Sequence, residues 1–217
     1  MRKLFGLSAA VLLWMAAALT AADIRPMLPP DSDLRITVHV YNISQVPAKT
    51  LAAAETEAWK VFERAGIHLL WASGPLTPAE VWNSKDRSSP CVRSDIFLRI
   101  YTQSMVKLWR VHRSGLGFVL SFENSHAIVF YDRVHRLGQV RHSEPAPILG
   151  AAMAHEIGHL ILGSEQHSPT GMMRETWLSS DLIAASQGLL QFRAGEAALM
   201  RAEVLRRKHT ERCVTPL

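Results

Sequence analysis

Two cysteines in 217 residues, Cys91 and Cys213, can form at most one bridge, so the fold is not a disulfide-stapled scaffold. No cysteine follows the N-terminal apolar run, which argues against a lipid-attached N-terminus. Charge of one sign is also scarce. Twenty-four Lys and Arg against 19 Asp and Glu leave a formal charge of only +5, no argument for a nucleic-acid partner. The basic runs at 107–113 and 201–208 read as solvated faces. Internal repeats and low-complexity tracts are absent. Only Leu4–Leu19 is apolar enough to engage a membrane, since His155, Glu156 and His159 interrupt the other apolar stretch, residues 146–163.

Arg2 and Lys3 precede that first run, and the small residues of Thr20-Ala21-Ala22 follow it. This is the order of a secretory signal peptide, with cleavage expected after Ala22. The expected division is therefore residues 1–22 as a signal peptide and 23–217 as a single domain. Losing Arg2 and Lys3 lowers the formal charge from +5 to +3. A secreted or periplasmic location follows, without stable membrane association after cleavage. In such a compartment an even cysteine count suggests a Cys91–Cys213 disulfide. The short stretch from Ala22 to the first strand leaves no space for a folded pro-domain.

Periodicity gives a mixed α/β order. Residues 34–43 alternate and are rich in β-branched side chains, as a strand requires. Residues 47–66 are alanine-rich, open on Pro47 and close on Gly66, which marks a helix. Further strands are expected at 67–72, 95–103, 116–122 and 126–134, with a long Ser- and Pro-rich loop at 73–94. After a loop comes a helix that Pro147 is placed to start and Gly163 to stop. Two helical segments, 180–190 and 194–208, complete the chain.

The chemistry is concentrated in His155-Glu156-Ile157-Gly158-His159. Side chains four apart share one helix face, so His155 and His159 can hold one metal ion together. Neutral imidazole nitrogens bind Zn²⁺ at about 2.0–2.1 Å, and a catalytic site commonly has three protein ligands and one open position. The ion lowers the pKa of a bound water to about 7. Glu156, one residue on from His155, is placed to act on that water as general base and then as general acid. His167 returns after the Gly163 turn as the expected third ligand. Glu165, Glu175 and Glu196 are the alternatives, the last two in the manner of a thermolysin-like site. A non-catalytic exported zinc-binding protein of the same fold is the other alternative.

These residues resemble the metzincin clan of zinc metalloproteases, whose signature is H-E-x-x-H-x-x-G-x-x-H followed by a methionine turn. His155, Glu156 and His159 match position for position. The family's third-ligand place falls on Glu165, and His167 stands two residues later, followed by Ser168 in the manner of matrixins. The resemblance implies a twisted, mixed five-stranded sheet with a backing helix. It also implies an active-site helix, an antiparallel fourth strand that borders the cleft, and C-terminal helices. It implies that Met172 or Met173 lies beneath the metal as an apolar floor, with Trp177 standing where some members place a tyrosine. The activity it implies is hydrolysis of peptide bonds in a peptide or protein substrate, with Zn²⁺ as cofactor. The remaining histidines read as core, sheet-face or exposed residues, with a supporting or substrate role as the lesser alternative at His126, which opens the fifth strand beside the presumed cleft.

Overall fold

The computed structural model describes residues 34–72, 95–107 and 115–211. Strand β1 (Arg35–Asn42) buries Ile36 and Val38 completely while Thr37 between them and His39 after them stay partly open, the period-two signature that the sequence carries. Helix α1 (Ala48–Arg64) follows, with Ala54, Ala58, Val61 and Phe62 along its buried stripe. Strand β2 (His68–Ala72) then pairs parallel with β1. Strand β3 (Ile96–Tyr101) pairs parallel with the other side of β1, and β5 (His126–Phe130) pairs parallel with β3. Strand β4 (Gly117–Ser121) runs antiparallel to β5, with a register shift between Val119 and Ser121. The sheet order is β2-β1-β3-β5-β4, so β4 forms one edge. The mixed five-stranded sheet expected from the sequence is present, and its one antiparallel strand is the edge strand.

Two short helices depart from the expectation. The third strand stops at Tyr101, and α2 (Gln103–Lys107) begins where the strand was expected to end. The fifth strand stops at Phe130 rather than running on to Val134, and α3 (Tyr131–Arg141) replaces the expected loop. Two features favour the helix. Asp132 sits in its first turn and accepts the Gln103 backbone N–H at 2.9 Å. Val134 and Gly138, four apart, form its buried stripe, so a helical period replaces the apolar run of β5 from Val134 onward. Helix α2 covers the face of the sheet away from α1. Val106, Phe118, Ile128 and Phe130 form a small cluster there with Tyr101 against it. Ala127 through Phe130 are therefore buried on both faces, which explains their unbroken apolar run.

Helix α4 (Pro145–Leu162) lies against α1 beneath the other sheet face, and every residue from Ile148 to Ile161 is buried. It starts two residues before Pro147, with Pro145 in the first turn, where a missing N–H costs nothing. Helices α5 (Ser179–Ser186) and α6 (Ala194–Glu211) close the chain on the α4 side. Among the described residues no helix is long and apolar enough to cross a membrane. Residues 1–22, expected to be a signal peptide, residues 73–94, expected to be a loop, and Cys91 and Cys213 lie outside the described residues.

Candidate metal centre

Helix α4 carries His155, Glu156 and His159 inside the molecule, where they are 8%, 4% and 4% exposed. Three polar side chains so deep in an apolar helix are costly unless each has a defined partner. The imidazoles have them. His155 donates its Nδ1–H to the Met172 carbonyl at 2.8 Å, and His159 donates its Nδ1–H to the Ser164 carbonyl at 2.7 Å. A carbonyl only accepts, so both rings are held as the tautomer whose Nε2 is bare. The two Nε2 atoms face one another 3.0 Å apart. Two lone pairs in that position do not satisfy each other, whereas a shared cation satisfies both.

Protonation does not relieve the pair. Burial pushes the His155 pKa down to about 3, and the neighbouring His159 and His167 push it the same way against the Met172 bond. Burial also lowers the His159 pKa, with the Ser164 bond and Glu165 opposing. Both rings are neutral at pH 7, which is the form that binds a metal.

Gly163 ends α4 with φ of 64°, the left-handed conformation that glycine takes without strain. The chain reverses there and returns His167 to the two helical histidines. The His167 ring centroid lies 5.4 Å from that of His155 and 4.8 Å from that of His159. One ligand nitrogen from each of the three rings lies within 4.8 Å of the others. These three imidazoles fit a zinc ion by donor type, by number and by the bare Nε2 pair. Glu165 and Glu175 are exposed and stand outside this group. Glu196 also stands outside it, with its carboxylate engaged by Ser168 and by the backbone N–H of Arg193.

The methionine pair is fully buried, and the two residues play different parts. Met172 offers its carbonyl to His155, and the same oxygen accepts the Trp177 indole N–H at 3.2 Å. The Trp177 ring meets His155 edge to face with centroids 5.8 Å apart. Met173 points its sulfur at α4. A Cβ on Gly158 would come within 2.8 Å of Met173 Sδ, so the bare backbone between the two histidines is what lets the thioether approach.

Glu156 faces the sheet edge. A Cβ on Gly117, the first residue of β4, would lie 2.7 Å from Glu156 Oε1 and 2.8 Å from its Cγ. The edge strand therefore passes the carboxylate with no side chain between them. Sequence reasoning placed β4 at the cleft but missed Gly117. The available signal was a glycine inside a strand pattern, which marks a close backbone approach. The Ser164 and Met172 carbonyls were missed as well, and backbone acceptors leave no trace in residue type. His126 lies on the opposite sheet face, edge to face with Phe97, and takes no part in the centre.

No family model matches the chain, and no curated protein matches it. Among solved structures, the chain is similar to the zinc-dependent peptidase from Methanocorpusculum labreanum. The two are 14% identical, with 76% of this chain and 99% of that chain covered, at a TM-score of 0.48. What the chain itself displays is a mixed α/β fold with three histidines gathered where they can hold one metal ion.

Proposed function

We propose that the protein is a zinc-dependent metalloendopeptidase of metzincin type. The observation that carries the reading is the buried pair of bare Nε2 atoms on α4, with a third imidazole turned toward them. His155, His159 and His167 would hold the ion. Zinc bound there supplies a Lewis acid that makes a water nucleophilic near neutral pH.

The chain's own residues supply the rest. Glu156 takes a proton from the attacking water at a carboxylate oxygen and returns it to the leaving amine. Its position against the backbone of Gly117 puts that carboxylate beside any strand that pairs with β4. An extended peptide can add to such an edge through main-chain hydrogen bonds, which hold it on both sides of the scissile bond and favour internal cleavage. Burial of His155 and His159 in the α4 core shields these two rings from bulk water, while His167 stands at the exposed side. The apolar run before Ala22 supports export with the signal peptide removed. In that compartment Cys91 and Cys213 form a disulfide, and a free-thiol assay on the denatured, unreduced protein is expected to find no thiol.

A mixed peptide library tests the activity. The zinc-loaded protein is expected to cleave internal bonds, and Glu156→Gln is expected to bind zinc without cleaving. Cleavage by Glu156→Gln at the parent rate contradicts the mechanism.

A further inference from the structure

The three imidazoles are not held alike. His155 and His159 are each oriented by a bond from Nδ1 to a carbonyl. His167 is exposed, and among the described residues its recorded contacts are with the other two rings. A ligand without such a partner must be placed by its backbone. That backbone is fastened one residue on. The Ser168 backbone N–H donates to the Met173 carbonyl at 2.8 Å, and Ser168 bridges to Arg174. The Ser168 hydroxyl donates to Glu196 Oε1, and the other oxygen of Glu196 accepts the Arg193 backbone N–H at 2.7 Å. Glu196 thus joins the ligand loop to the first turn of α6, across 28 residues of sequence.

We propose that Ser168 and Glu196 are the positioning residues for His167, setting where the third imidazole stands relative to the α4 pair. The inference rests on the three-histidine reading of the metal centre. Ser168 and Glu196 are both half-buried, so the bond between them is partly shielded from water. A carboxylate acceptor makes it a charge-assisted hydrogen bond. It acts through His167 and touches no metal itself.

Zinc affinity, read by competition with a chromogenic chelator on the purified full chain, is the test. Ser168→Ala and Glu196→Ala are each expected to weaken zinc binding about 10- to 100-fold, the range for losing a group that orients a ligand. Their combination is expected to be no weaker than Glu196→Ala alone, because both delete one interaction. Ser168→Thr keeps the hydroxyl and is expected to keep the parent affinity. Cobalt gives a second readout, since its visible absorption reports the ligand set, and Ser168→Ala is expected to alter that spectrum. Glu196→Ala also removes a bond at the start of α6. If that variant does not fold, Ser168→Ala carries the test, because it leaves the Arg193 bond in place. Parent affinity and an unchanged cobalt spectrum in folded Ser168→Ala would overturn the inference, leaving Ser168 with at most a shift in zinc-free melting temperature. His167→Ala separates the two levels. If it weakens zinc binding while Ser168→Ala does not, only this inference fails. If it binds zinc like the parent, the reading of the centre fails and this inference with it.

Discussion

The two halves of the candidate centre are built by different means. The helical half, His155, Glu156 and His159, is preorganised by a regular element that is buried from Ile148 to Ile161. Its geometry follows from the four-residue repeat, and two backbone carbonyls fix the ring tautomers. The loop half, Gly163 to Met173, has no regular element. It depends on two left-handed glycines, Gly163 and Gly171, one strand-like bridge at Ser168 and a link to a helix much further along the chain. The helical half therefore takes from the loop only the carbonyls of Ser164 and Met172, while the loop should respond to changes at either of its anchors.

The largest expected effect comes from removing chemistry while leaving both halves in place. Glu156→Gln should lower peptide hydrolysis by about 10²–10⁴-fold, the usual contribution of general acid–base catalysis, with zinc content unchanged. Loss of the zinc in that variant would make Glu156 part of the ligand set and would redraw the helical half.

Packing between the halves comes next. Met173 is buried against Gly158, so Met173→Ala leaves a cavity at their seam and should cost about 2–5 kcal/mol of stability by denaturant unfolding. A loss well below that range would mean that the seam closes freely and that the thioether is no floor.

The junction itself is a smaller matter. A Cβ on Gly163 would meet nothing within 4 Å, so Gly163→Ala should cost only the backbone strain of φ at 64°. That amounts to about 1–2 kcal/mol for an L-residue in the left-handed region. A larger loss, or one confined to zinc affinity, would show that the turn has a further constraint.

The last expected effect lies outside both halves, is absent at neutral pH and provides a control. Burial, with Arg99 adding to it, pushes the His126 pKa from 6.5 down to about 4. The unfolded chain binds that proton first as pH falls, so stability declines from about pH 6.5 down through about pH 4. His126→Gln should flatten this part of the stability profile at constant zinc affinity. An unchanged profile would show that His126 titrates normally.

The same contrast governs what could be read from the chain. The helical half was legible because the His155–His159 spacing is dictated by helix geometry. Gly163 ends the helix where a glycine after an apolar run is expected to. Strands β1 to β5 were legible by alternation and by β-branched content, within a few residues at their ends. Helix α3 was not, because Tyr131 continues an apolar strand and the change of period appears only from Val134 onward. In the loop half, the family count pointed to Glu165 and the residue order to His167, and spacing alone could not choose between them. The structure turns His167 toward the pair through a conformation set by Gly163 and Ser168. The Ser168–Glu196 link had no sequence signature. By residue type Glu196 is a candidate ligand, and its carboxylate instead ties two segments whose proximity only the fold creates.

Metal analysis of the purified protein tests the central claim most directly, with the parent compared against the double variant His155→Ala/His159→Ala. The parent is expected to carry about one zinc per chain, as a three-ligand site does, and the double variant to carry almost none. Full zinc occupancy in the double variant would place the metal elsewhere and contradict the account.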